Sequence, residues 1–434
     1  MDARVGVVLL FACGACGRSE LPIDGAHVPT TPDLARPYRS LDPAARWWKG
    51  NSLARSLWSD GDLSPEAVAC WHRRAGYDFV AFAERNTVPA GERWVPDAQP
   101  GSTRSLREAE CVRWLGEDWT EHSKRDGELR LMTIAELRSC FERPESFAIV
   151  DAQRVAHDSG LHEVELLVLG VHGRLELPCG PNRIACTELQ LASALAQGAE
   201  PLGTPVVTCV AGTDPYSAAD LAALRCARFL ELAHGRNDGL AGGDDARIAA
   251  ETLWDEANAL RAAAELPLLF GLVGDDGPLP VDEGLPDDRG RPWIGVRAPA
   301  VDSEALLIGM ADGDFYLSTG VGLQNVEFDG RTLTVDIDVE RRLDLPACTL
   351  PTSPLPPGPL DWSAFEYDAR YVTHFVGARR GGSSVELLAE TSEDPARYTL
   401  AGDELFVRAE VSEDVGPRDN LPARAWTQPV RPAR

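Results

Sequence analysis

The chain has 434 residues, 44% of them hydrophobic, enough to fold around one large core or a large and a small one. Its formal net charge of −26 excludes the basic field on which non-specific nucleic-acid binding depends. No nucleic acid is expected as a partner.

Residues 5–12, VGVVLLFA, form an apolar run too short to span a bilayer. It leads into Leu10-Phe11-Ala12-Cys13, which has the form of a bacterial lipobox with a small residue before the thiol. The expectation is a lipoprotein signal over 1–13, with membrane attachment through a lipid on Cys13. A late-placed start codon or a buried segment are the competing readings. The protein is then extracytoplasmic, in the periplasm or on the cell surface. Residues 14–40 are polar and Pro-rich and read as a flexible tether. Ten cysteines fit an exported chain, and Cys179 and Cys186, flanking the turn-rich GPNRIA, are the expected local bridge.

From 41 to 320 short apolar runs alternate with helical segments. Ser64-Pro65-Glu66 reads as a helix start, with Gly76 at its end. Thr133 and Glu136 form a capping box opening a second helix. Strands are expected over 77–83, 147–150, 164–171, 205–210, 228–232, 266–273 and 292–299, with a long helix over 246–264. Alternating units of this kind predict an α/β fold, a mostly parallel sheet with helices outside. About seven units predict a barrel with its site at the C-terminal ends of the strands. Residues 321–434 change character to alternating strand patterns, with a hairpin turn at Asp329-Gly330 and a Pro-rich excursion over 349–362. A small antiparallel β-sandwich domain is expected there.

Two segments carry more than architecture: KGNSLARSLWSDGDLSPEAV from Lys49 and GYDFVAFAERNTV from Gly76. They resemble the opening of the PHP (polymerase and histidinol phosphatase) metal-dependent hydrolases. The segments around VGDD (273–276), SEALLIGMADGDFYLSTG and DELFVRAEV extend that resemblance over residues 47 to 430. It implies a PHP-type distorted (β/α)7 barrel over 41–320, followed by a β-sandwich over 321–434. In that family two or three divalent ions are held by imidazoles and carboxylates.

Most of the implied ligand positions are altered. The paired histidines of the first strand are Leu53 and Arg55, and the second pair is Glu84 and Arg85. A strand glutamate becomes Arg154, and Val164 is followed by Glu165 where the family brings a histidine. A His-x-Asn-His segment becomes Cys209-Val210-Ala211-Gly212, and an Asp-x-His becomes Asp276-Gly277-Pro278, with Asp275 before it. Only Asp276 and Glu84 keep ligand chemistry. None of the eight histidines forms His-x-His, and His234 alone falls near a strand end on the expected rim.

Arginine cannot shed its proton. Arg55, Arg85 and Arg154 are expected to point into the same hollow and to bind Glu84, Glu165, Asp275 and Asp276 through their guanidinium forks. Cys209 completes the candidate set, as a nucleophile beside His234 or as a core cysteine. The leading expectation is a non-catalytic protein without a cofactor, binding a small anionic ligand or another envelope protein. The alternative is a hydrolase of phosphoester, ester or amide bonds, using Glu84, Asp275, Asp276 and His234 around a single divalent metal ion.

Overall fold

The computed structural model describes residues 37–39, 42–102, 104–106, 108–109, 123–158, 163–171, 173–179, 181–197, 204–208, 216–234, 244–276, 292–338, 370–382, 384–414 and 423–432. Cys13, Cys209, the Pro-rich excursion at 349–362 and most of the tether lie outside them, as does the side chain of His234. Among the described residues no helix is long and apolar enough to cross a membrane.

The local signals produce the elements they predict. Strand β1 (Arg46–Ala54) leads to helix α1 (Pro65–Arg74), where the Ser64 side chain accepts from the Ala67 N–H. Gly76 follows with φ +73°, the left-handed region that glycine enters without strain. After β2 (Phe79–Arg85), a small sheet of β3 (Trp94–Pro96), β4 (Lys124–Arg125) and β5 (Glu128–Arg130) precedes α2 (Ile134–Phe141). Thr133 and Glu136 cap α2 reciprocally. Then come β6 (Ala148–Asp158), β7 (Glu163–Leu169), α3 (Arg183–Gln197), β8 (Thr204–Thr208), α4 (Ala218–Ala223) and β9 (Phe229–His234). Helix α5 (Asp244–Ala263), β10 (Phe270–Gly274), β11 (Trp293–Ala298), α6 (Ser303–Asp312) and β12 (Phe315–Ser318) follow. Cys179 and Cys186 are disulfide-bonded.

Strands β1, β2 and β6 run parallel, as do β8, β9 and β10, but β7 is antiparallel to both β6 and β8. The mostly parallel expectation fails here because residues 159–162 alone join β6 to β7. So short a link can make a hairpin but not a crossover.

The expected closed barrel is corrected too. The large sheet is open, in the order β10-β9-β8-β7-β6-β2-β1-β11-β12 and onward into C-terminal strands. Strand β11 pairs with residues 46–50 of β1, taking the edge that closure would need. Among the described residues, strand β10 therefore reaches β1 only past that point, through a single bridge between Ala54 and Asp276.

Gly274 and Asn51 both shape that seam. A Cβ on Gly274 would sit 2.5 Å from the Leu53 Cβ, so the close approach requires glycine. Asn51 spans the gap with its amide: its oxygen accepts from Leu53 N–H (3.0 Å) and Asp275 N–H (3.1 Å). Its nitrogen donates to the Asp275 carboxylate and lies 3.0 Å from His72 Nε2. The open sheet still curls around one apolar core, with Leu53, Ala81, Val150, Leu169, Phe229, Leu272 and Phe315 on its inner face.

The C-terminal strands are β13 (Leu323–Phe328), β14 (Thr332–Ile337), β15 (Tyr371–Arg379), β16 (Val385–Thr391), β17 (Ala396–Thr399), β18 (Glu404–Glu413) and β19 (Arg424–Thr427). Asp329 and Gly330 turn β13 into β14, with Asp329 Oδ1 accepting from the Arg331 and Thr332 N–H groups. Strands β13, β14 and β17 form a sheet of their own, whereas β19, β18, β15 and β16 extend the large sheet through β12. Val326, Val335, Phe375 and Val407 pack between the two sheets. The expected boundary at 320 thus does not divide the sheets.

Pro37 and Tyr38, which fall within the tether expected over 14–40, are packed into the fold. Tyr38 is buried, its hydroxyl donating to Phe315 O (2.7 Å) and accepting from Gln428 N–H (2.5 Å). Its own N–H donates to Asp314 at 2.6 Å.

Candidate functional site

Side chains alternate across a strand, so the inner face can be followed outward residue by residue. Ala83, Ala152, Leu167, Phe229 and Leu53 all line the inner core. Two positions on toward the same end of the sheet stand Arg85, Arg154, Glu165, Glu231 and Arg55. A register shift in β1 between Asn51 and Ala54 brings Leu53 onto that face. The apolar lining therefore gives way at one rim to a charged one. Asp276, just past β10, completes it.

These charges form a closed circuit that alternates in sign. Arg55 donates from Nε and Nη2 to the two oxygens of Asp276 at 3.1 and 2.6 Å. Asp276 lies 3.7 Å from Arg154 Nη1, and Arg154 Nε contacts Glu165. Glu165 lies 3.7 Å from Arg85 Nη2, and Arg85 Nη1 lies 3.9 Å from Asp60. Asp60 returns to Arg55 Nη1 at 2.7 Å. Glu231 hangs on the circuit, 3.6 Å from Arg154 Nη2.

Five of the sequence candidates thus meet: Arg55, Arg85, Arg154, Glu165 and Asp276. Glu84 does not join them, because it faces the opposite side of β2 from Arg85. There it accepts from Ser56 N–H at 3.2 Å and from the Ser56 and Ser59 hydroxyls. Asp275 turns toward Asn51 and toward His72, whose Nε2 is 3.7 Å away. His234 ends β9, and Cys209 lies outside the described residues.

Asp60 and Glu231 are the members that sequence reasoning missed. Glu231 had a signal: a carboxylate at an inward position of the apolar strand RFLEL. Asp60 had none, since it reaches the circuit from a surface turn.

Burial sets the protonation behaviour. It lifts Glu231 to about 7; Arg154 opposes the rise and Asp276 adds to it. Burial also raises Asp276, with Arg55 and Arg154 pulling the other way. Glu84 is lifted to about 7 by burial despite its serine hydrogen bonds. Arg55 has its pKa raised: burial disfavours its charge, but Asp276 and Asp60 outweigh that.

The donor set does not fit a metal centre of the kind the sequence resemblance implies. Each carboxylate of the rim (Asp60, Glu165, Glu231, Asp276) already lies against a guanidinium. Among the described residues no three His, Cys, Asp or Glu side chains group to hold an ion. A divalent ion about 4 Å from one guanidinium would be opposed by roughly 8 kcal/mol at an effective dielectric of about 20. Of the described histidines, His72 is buried on α1, His157 stands on β6, and His374 pairs with Glu390 on β16.

No family model and no curated protein matches the chain. Among solved structures it is similar to a two-domain Bacteroides vulgatus protein containing a predicted PHP-like metal-dependent phosphoesterase. That likeness has 11% identity, covers 86% of this chain and 93% of the other, and has a TM-score of 0.38. A proposed metal-dependent phosphoesterase from Bifidobacterium adolescentis is similar at 12% identity, over 52% of this chain and 86% of its own, with a TM-score of 0.26. Likeness at this level carries no argument about the chemistry of the rim.

Proposed function

We propose that this chain is a PHP-type protein whose metal-binding rim has been replaced by a self-neutralising ring of ion pairs. It acts by binding or scaffolding and does not hydrolyse. The observation that supports this most is Arg154. It is 2% exposed, sits where the resembled family carries a glutamate, and contacts Glu165, Glu231 and Asp276 together. A buried acid cluster without counter-charge is costly, and an arginine with a planar fork supplies that charge without an ion. On the same reading the protein is held on the outer side of a bacterial membrane by a lipid on Cys13. Its partner is a small anion or another envelope protein.

Elemental analysis after incubation with zinc, manganese and iron tests the proposal, together with a phosphodiesterase assay on the same sample. The expected result is substoichiometric metal and no turnover above buffer. Stoichiometric tight metal with hydrolysis of a phosphodiester would end it and favour the hydrolase.

A further inference from the structure

The circuit is not uniform in depth. Arg154 is 2% exposed and Arg55 22%, whereas Asp60 is 39% and Arg85 40% exposed. Asp60 also differs in origin, because it belongs to a turn and not to a strand. In that turn the Ser59 and Gly61 N–H groups both donate to Ser56 O at 3.0 Å. A Cβ on Gly61 would sit 2.6 Å from the Arg55 and Ser56 backbone, so the turn is folded tightly back on the strand end. From it a single oxygen, Asp60 Oδ2, faces two cations: Arg55 Nη1 at 2.7 Å and Arg85 Nη1 at 3.9 Å.

Two guanidinium groups converging on one carboxylate oxygen make a seat for an oxyanion. We propose that Asp60 fills this seat as an internal stand-in, and that a small carboxylate or phosphate from solution exchanges with it between Arg55 and Arg85. This rests on the reading that arginines hold the rim in place of a metal. The exchange breaks no covalent bond and leaves the buried part intact, since Arg154, Glu165 and Asp276 keep their mutual contacts. Because Asp60 competes intramolecularly, it lowers the apparent affinity by the fraction of time it occupies the seat.

Calorimetric titration of the full chain with inorganic phosphate, and separately with acetate, at constant ionic strength tests the exchange. Asp60→Asn keeps the side-chain volume and removes the competing charge. It is expected to tighten binding by about fivefold or more over the unaltered chain. Arg85→Ala, at an exposed position, is expected to weaken binding by a similar factor. Phosphate binding tighter than acetate assigns the seat to phosphate groups, and the reverse assigns it to carboxylates. Binding by Asp60→Asn no tighter than that of the unaltered chain overturns the proposal, as does unchanged binding in Arg85→Ala. Absence of binding in every variant up to about 10 mM also overturns it. Asp60→Ser, titrated in parallel, guards against a folding defect peculiar to one variant. Metal content is measured on the same samples. Stoichiometric metal overturns the metal-free reading of the rim, whereas a lost Asp60 effect without metal overturns the exchange alone.

Discussion

Arg55 and Asp276 are joined twice, by side chain and by main chain. The guanidinium takes both carboxylate oxygens at 3.1 and 2.6 Å, and the Arg55 N–H donates to Asp276 O at 3.2 Å. The same two residues therefore knit the ends of β1 and β10 and balance charge at the rim. Asp276 adopts φ +60°, a backbone state that a residue without local hydrogen-bonding capacity tolerates poorly.

Removing one partner of this bidentate pair should cost about 1–3 kcal/mol. Arg55→Ala and Asp276→Ala are each expected to lower the unfolding free energy measured in denaturant. The double variant should lose less than the sum of the two, because either change already breaks the pair. Strict additivity would show that the fork contributes nothing to stability.

Arg154 should be the most sensitive member. Its loss removes the most buried cation from beside Glu165, Glu231 and Asp276, and breaking buried pairs costs about 3–5 kcal/mol. Arg154→Met keeps much of the side-chain length, so a large fall in melting temperature in that variant reports charge and not volume. Arg85→Ala, 40% exposed, should cost well under about 1 kcal/mol.

The pH dependence has a definite sign. Glu84 and Glu231 ionise near 4.5 when unfolded and at about 7 when folded, so the native state holds their protons longer. Stability from those protons is complete below the unfolded value and is lost as pH rises through the folded one. The unfolding free energy should fall between these limits by on the order of 1 kcal/mol per group and pH unit. Glu84→Gln and Glu231→Gln should each flatten that slope; an unchanged slope in both would contradict the assignment. Glu404 acts oppositely at lower pH. Burial alone would raise it, but the Ala401 and Gly402 N–H groups and the Tyr398 hydroxyl bring it to about 2. Its contribution disappears only as pH falls from 4.5 toward that value.

Asn51 supplies a test of the seam. Its amide reaches Leu53, Asp275 and His72 at once, all buried. Asn51→Ala should cost about 2–4 kcal/mol through unmet hydrogen bonds. Asn51→Asp should be worse than Asn51→Ala, because it sets a second buried carboxylate against Asp275. Thermal unfolding of the two variants side by side reads the order, and a milder effect for the aspartate would contradict the geometry.

Gly274→Ala forces a methyl to 2.5 Å from the Leu53 Cβ and 3.1 Å from its backbone nitrogen. Overpacking of this kind costs about 1–3 kcal/mol. The displacement should also lengthen the Ala54–Asp276 bridge, which amide hydrogen exchange at Arg55 would register as faster exchange.

Much of this was written locally. The Ser64 cap, the reciprocal Thr133–Glu136 cap, the Asp329-Gly330 turn and the Cys179–Cys186 bridge each depend on residues a few positions apart. The partners of such signals are fixed by chain geometry, so the sequence is sufficient. Strand periodicity even held information that went unused: Glu84 and Arg85, being adjacent, cannot face the same hollow.

By itself, then, the sequence determined many of the elements, their caps and, outside the shifted β1, which residues along a strand share a face. Only the tertiary structure decided which faces meet. The reversal of β7 carries Glu165 to the rim beside Arg154, and the shift within β1 turns Leu53 inward and leaves Arg55 above it. The turn at Ser56–Gly61 delivers Asp60, and β11, by occupying β1, leaves the sheet open with one bridge at Asp276. These are pairings between strands distant along the chain. Their register follows from mutual packing and hydrogen bonding that no single segment encodes.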